Sequence, residues 1–217
     1  MVSTATSPSE RADMPAPACY VALGDSFSAG VDRDEPWPAR AAEVFRGRRP
    51  GVSFASLARV GATSGAVLEQ QVPCAIGYRP ELVSVVCGAN DVLISVRPDA
   101  RRFARTLETL LRRLKIVMPG TLVVTATYPA VAPEALRERS RLRVESGLVD
   151  FNAAIRWLSG VHGAFCIDWA RHPEIGRQRN YAEDGFHPSP DAHRIAAREF
   201  VAAVDAVLAE PDRTENR

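Results

Sequence analysis

Lysine is almost missing from this chain. Lys115 is the only one, and every other basic residue is arginine. That bias reflects composition and points to no function. An excess of one charge is missing too. The formal net charge is +1, so nothing draws the chain toward nucleic acid or an anionic membrane. No stretch reaches the roughly eighteen consecutive apolar residues of a membrane-spanning helix, and no membrane span is expected. Residues 1–17 lack a basic start followed by an apolar run. No secretory leader is read there, and a cytoplasmic protein is expected; a mature secreted protein with its leader removed would read the same. The cysteines, Cys19, Cys74, Cys87 and Cys166, match no zinc spacing. Cys19, Cys87 and Cys166 lie in apolar runs, where a thiol acts as a small buried hydrophobe. A disulfide is the competing reading.

What is present is ordinary globular material, 46% hydrophobic and 24% charged, enough to bury a core. Five short apolar runs read as strands: Cys19–Leu23, Val52–Ala58, Leu82–Cys87, Thr121–Thr127 and Ala164–Asp168. Between them Trp37–Arg48, Ser64–Gln71, Asp99–Val117 and Glu145–Leu158 read as helices, and Pro190–Leu208 closes the chain. In Asp99–Val117 the apolar positions Phe103, Leu107, Leu110, Leu111 and Leu114 recur at helical spacing. Tyr128–Arg143, rich in Pro, Arg and Glu, reads as a loop or a mobile lid, and Arg171–Pro188 as irregular. Alternating strands and helices predict an α/β fold, a three-layer sandwich whose parallel sheet of about five strands is covered by helices on both faces. One domain is expected over 18–209, with tails at 1–17 and 210–217.

Ligands of such sheets sit beyond the carboxyl ends of the strands. The residues there are Gly24-Asp25-Ser26, Gly61-Ala62-Thr63 and Gly88-Ala89-Asn90-Asp91, with Asp184-Gly185-Phe186-His187 further downstream. They carry the parts of nucleophilic catalysis. Ser26 needs a base to take its proton, and His187 is the candidate. Asp184, three residues before it, would meet His187 if that stretch made one helical turn. A tetrahedral intermediate needs donors for its oxyanion. The Asn90 amide, the Gly61 N–H and the Ser26 N–H are the candidates. Asp25 and Asp91 read as supporting residues that tie their turns.

These blocks resemble the SGNH (GDSL) hydrolases. Gly24-Asp25-Ser26-Phe27-Ser28-Ala29-Gly30 is similar to that family's first block, and Leu57–Thr63 to the second. Gly88-Ala89-Asn90-Asp91 is similar to the third and Asp184-Gly185-Phe186-His187-Pro188 to the last. Phe151–Arg156 resembles the helix before the final strand. Ser56 and Val60 depart from the family, which often has Asn and Ser there. The resemblance implies a flavodoxin-like fold and a serine esterase acting on a small-molecule acyl ester or thioester. The triad would be Ser26, His187 and Asp184, the oxyanion hole Ser26, Gly61 and Asn90, with no metal or other cofactor. An acyltransferase with a non-water acceptor and a non-catalytic binding module are the alternatives.

Blander readings stand beside these. Ser26 as a mere helix cap and Asn90 as a turn residue are the competing ones. His162, His172 and His193 read as surface or helix residues. A metal held by His187 with Asp184 and His193 is a further reading, against which the spacing of the set argues. The arginines at 97, 101, 102, 105, 112 and 113 read as a solvated face, and Phe27 and Trp37 as either acyl contacts or core.

Overall fold

The computed structural model describes residues 16–31 and 35–209. The tail expected at 210–217, and that at 1–17 except for its last two residues, lie outside the described residues. Five parallel strands run in the order β2-β1-β3-β4-β5: β1 Cys19–Gly24, β2 Ser53–Ser56, β3 Leu82–Val86, β4 Leu122–Ala126 and β5 Phe165–Ile167. The chain starts in the middle, steps outward to β2, then crosses back past β1 to build β3, β4 and β5. The reversal falls between β1 and β3, so the connections leaving their carboxyl ends run in opposite directions and leave a crevice.

Burial follows this order. In β1 every residue after Cys19 is buried, and β3 is buried throughout. The edge strands β2 and β5 have no fully buried residue. A strand covered on both faces must be apolar without alternation, which is why the central runs read clearly in the sequence. Helix α2 (Trp37–Arg48) packs against α8 (Pro190–Ala209), and α6 (Ala100–Val117) against α7 (Glu138–Val161). Tyr20 of β1 meets Phe45 and Phe200 from the first pair. Between α6 and α7, Phe103 and Phe151 stack 4.1 Å apart. Asp99 caps α6 by accepting from Arg102 N. Its five apolar stripe residues are all buried, each worth about 2 kcal/mol of transfer free energy. The six arginines suspected of forming a basic face are all exposed.

Two expectations need correction. The loop at 128–143 ends earlier than its polarity suggested, because α7 begins at Glu138. Arg, Glu and Leu are good helix formers, and a charged segment with no Pro or Gly has no reason to stay irregular. The helix at Ser64–Gln71 is the start of a longer one. Segment α3 (Ser64–Ala66) passes through a wide π turn (Val67–Gln71) into α4 (Val72–Tyr78). Two short helices, α1 (Ser26–Ala29) and α5 (Ala89–Leu93), open at the ends of β1 and β3. All four cysteines are free; Cys87 is buried, Cys19 and Cys166 half-buried, and Cys74 exposed. No helix among the described residues is long and apolar enough to cross a membrane.

Gly24 closes β1 at φ +149°, and a Cβ there would lie 2.1 Å from the Val86 carbonyl oxygen of β3. The obstacle is backbone within the central sheet, which cannot move aside. Gly24→Ala should therefore cost several kcal/mol and shift the thermal melt down by ten degrees or more. A melt within about two degrees of wild type would show that the strand ends are looser than this packing implies.

Candidate active site

The turn after β1 is held from within. Asp25 N donates to Val86 O of β3 at 3.1 Å. The Asp25 carboxylate caps α1, its Oδ1 accepting from Phe27 N at 3.0 Å. The cap is thus Asp25 and not Ser26. Ser26 is the first helical residue, and its hydroxyl is left free of that duty. Its Oγ lies 3.0 Å from His187 Nε2. On the other side of the ring, His187 Nδ1 lies 2.5 Å from Asp184 Oδ2. Residues 161 positions apart in the chain are joined in one hydrogen-bonded line.

The Asp184–His187 turn is not a helical turn. Asp184 Oδ1 accepts from the N–H groups of both Phe186 and His187, each at 2.9 Å, and Gly185 adopts φ +68°. An aspartate bonding its own following backbone in this way builds a tight turn with its carboxylate turned inward. The second carboxylate oxygen is left for the imidazole. Partial burial pushes the Asp184 carboxyl up, but the His187 side chain and the two N–H groups outweigh that and hold it below the usual carboxylate range. The loop before α7 supports the turn from outside, with Glu134 N donating to Asp184 O at 3.0 Å. Phe27 and Phe186 stand beside the imidazole, with ring centroids 6.1 and 5.4 Å from it.

Asn90 and Gly61 reach the same rim. Asn90 Nδ2 donates to Ala62 O at 3.0 Å. One amide hydrogen is committed to the neighbouring loop and the other is left over. Gly61 has φ +79°, a conformation that glycine reaches without strain. Neither the Ser26 nor the Gly61 N–H has an acceptor among the described residues. Asp91 behaves as a support, its two oxygens accepting from Ser64 N at 2.7 Å and Ser64 Oγ at 2.6 Å. Beside Asp91 opens a groove of about 420 Å³, lined by Thr63, Ser64, Ser95, Arg97 and Arg102 among others. Behind Phe27, a space of only about 20 Å³ lies among Trp37, Trp169 and Pro188. Phe27 and Trp37 are core residues here, 6% and 1% exposed.

His193 lies on α8, buried, its Nδ1 accepting from Trp37 N at 3.3 Å. It is turned to the core and is no partner for Asp184 or His187 in a metal site. Among the described residues no group of three His, Cys, Asp or Glu side chains could hold a metal ion.

Gln71 and Tyr128 carry no signal in the sequence, and Asn152 falls in the Phe151–Arg156 block with no role read for it there. Gln71, at the end of the π turn, is buried and grips Gly24 twice. Its Oε1 accepts from Gly24 N at 2.8 Å and its Nε2 donates to Gly24 O at 2.9 Å. A π turn adds a residue to the helix and redirects the side chains after it. Tyr128 donates its phenolic hydrogen to Asp25 Oδ2 at 2.8 Å, and Asn152 holds the Tyr128 backbone.

A model of the GDSL-like lipase/acylhydrolase family matches residues 22–195. No curated protein matches the chain. Among solved structures, the psychrotrophic esterase EstA of a Pseudoalteromonas species is similar, with a TM-score of 0.68 at 18% identity, over 89% of this chain and 100% of that one. The lipase/acylhydrolase of Enterococcus faecalis gives a TM-score of 0.70 at 18% identity, over 87% and 96%. An acetylxylan esterase of Geobacillus stearothermophilus gives 0.67 at 16% identity, over 87% and 94%. At these identities the structures establish a shared fold.

Burial drives the Asp25 carboxyl upward from 3.8 to about 7, against the hydrogen bonds from Phe27 and Tyr128. A carboxyl raised by folding binds its proton more tightly in the folded state. Its cost to stability is absent below the unfolded value, grows between about pH 4 and 7, and is complete above. Asp25→Asn carries no charge at any pH. Its stability relative to wild type should therefore rise from pH 4 to pH 8, by on the order of a few kcal/mol. Urea melts of both proteins across that range measure the difference. A gap that stays constant would mean that Asp25 ionises in the folded protein as readily as in water.

Proposed function

Because the chain belongs to the GDSL-like lipase/acylhydrolase family and is a carboxylic ester hydrolase, we propose that it cleaves an acyl ester or thioester through an acyl-serine at Ser26. The observation that carries this reading is the line Ser26–His187–Asp184, with contacts of 3.0 and 2.5 Å. As the Ser26 oxygen attacks the carbonyl carbon, His187 Nε2 takes its proton. Asp184 faces Nδ1, fixes that tautomer and stabilises the cation that forms. The carbonyl π electrons move onto oxygen, which meets the Ser26 N–H, the Gly61 N–H and the uncommitted Asn90 hydrogen. Collapse of the intermediate expels the alcohol or thiol, which takes the proton from His187. Water then repeats the sequence on the acyl-serine. The groove beside Asp91 includes Thr63 and Asp91, which adjoin the oxyanion candidates Gly61 and Asn90 in sequence, and it is the candidate for the part of the substrate beyond the reacting carbonyl.

The Pseudoalteromonas esterase has been crystallised inhibited by monoethylphosphonate. A fluorophosphonate is the corresponding probe here, and it should label Ser26 and no other serine. Labelling at Ser28 or Ser64 instead would overturn the assignment. Ser26→Ala and His187→Ala should each lower kcat by about three orders of magnitude or more, and their combination little further, because such residues act as a unit. Asp184→Asn should cost less.

Asn90 separates an oxyanion role from a turn role. A donor to the developing charge acts in the transition state, so Asn90→Ala should lower kcat by about a hundred- to a thousandfold with little change in KM. The melting temperature should hardly move, because the amide faces the cleft and gives up a single bond to Ala62 O. A folded Asn90→Ala enzyme of normal kcat would remove Asn90 from the hole. The donors would then be the Ser26 and Gly61 N–H groups alone.

A further inference from the structure

Asp25 is a buried carboxyl with no cation against it. Its exposure is 0%, and what holds it are the N–H groups of Phe27 and Ala89 and the Tyr128 phenol. The other titratable groups that act on it or feel it are Asp91 and the Cys87 thiol, and neither offers a positive charge. A carboxyl in that position depends on its neutral donors for any fixed orientation.

Tyr128 is itself fixed before it reaches Asp25. It follows β4 and is 1% exposed. Asn152, inside α7, takes its backbone from both sides: Asn152 Oδ1 accepts from Tyr128 N at 2.8 Å, and Asn152 Nδ2 donates to Tyr128 O at 2.6 Å. The ring stands edge-on to Phe27, 4.9 Å between centroids. A tyrosine needed only to fill this space would place its hydroxyl toward water or a backbone carbonyl. Here the hydroxyl ends on the carboxylate one residue before Ser26, and the ring rests on the side chain one residue after it.

From this juxtaposition we infer that Tyr128, anchored by Asn152, is a positioning residue for Ser26. It fixes Asp25, Asp25 fixes the Phe27 N–H, and together they set the first turn of α1, which carries both the Ser26 hydroxyl and the Ser26 N–H. The inference rests on the reading of Ser26 as nucleophile. Loss of the phenol leaves the groove beside Asp91 untouched and loosens the attacking atom and one oxyanion donor. The consequence falls on kcat and spares KM.

Three variants test this: Tyr128→Phe, Asp25→Asn and the two combined. Each sample is titrated with a fluorophosphonate, so that kcat is expressed per reactive Ser26 and misfolded protein does not count. Tyr128→Phe should lower kcat about tenfold with KM within about twofold of wild type. Asp25→Asn should fall at least as far. The double variant should match the worse single one, because both changes cut the same link. An unchanged kcat per titrated serine in Tyr128→Phe would overturn the inference, as would losses that multiply in the double variant. A wild-type enzyme whose label sits on a residue other than Ser26 would instead sink the nucleophile assignment, and this control is read before any variant.

Discussion

The approach of β1 to β3 at Gly24 is the constraint from which the site follows. The two strands stay paired to their last residues, Gly24 opposite Val86, and the chain must then leave the sheet at once. Asp25 N still bonds to Val86 O, so the break occurs within a single residue. Only glycine fits where a Cβ would strike a carbonyl of the neighbouring strand. Its bare peptide groups would be costly to bury without partners, and Gln71 meets both with one side-chain amide. On the far side of the turn, Asn152 does the same for Tyr128. Two amides on two different helices thus grip the backbones on either side of the Asp25 carboxyl. Ser26 emerges from a frame built by β1, the π turn, β4 and α7. The histidine arrives from the opposite direction, on a turn closed by its own aspartate.

How much of this was legible follows from what each residue acts on. Ser26, Asn90, Asp184 and His187 could be picked out because each stands after a strand or beside its partner in sequence, and the structure brings Ser26, His187 and Asp184 into one hydrogen-bonded line. The central strands were legible because burial on both faces leaves no polar alternation. Gln71 and Tyr128 were hidden for a physical reason: they bond across 47 and 103 positions of sequence, to a backbone or a carboxylate that leaves no spacing to recognise. Asn152 lies in the Phe151–Arg156 block, but its bond to Tyr128, 24 positions away, leaves no mark there. The start of α7 was hidden because its first turn is polar and follows a proline-rich stretch, whereas Glu138 and the arginines after it are good helix formers on an exposed first turn. The spacing of Asp184 and His187 suggested contact for the wrong cause. Three residues bring side chains together on a helix, but here the aspartate folds back on its own backbone, and Gly185 supplies the positive φ that the reversal requires.

The two aspartates show how one kind of side chain is set to different tasks by its surroundings. Asp184 is 45% exposed at its side chain, keeps water on one side, and gathers two N–H groups and an imidazole. Its hydrogen-bonding neighbours favour its charge and hold it below the usual carboxylate range, facing His187 Nδ1. Asp25 is fully buried, no cation is among the described groups that act on it, and another carboxyl, Asp91, pushes it up further. A charge there would destabilise the fold. Neutral donors from Phe27 and Tyr128 let Asp25 hold the turn by direction instead of by charge. The nearby Asp91 has both oxygens occupied by Ser64, which anchors the loop bearing Gly61. The arrangement therefore keeps an ionised carboxylate behind the imidazole and commits the other two to tying down backbone, Asp25 the turn that bears Ser26 and Asp91 the loop that bears Gly61.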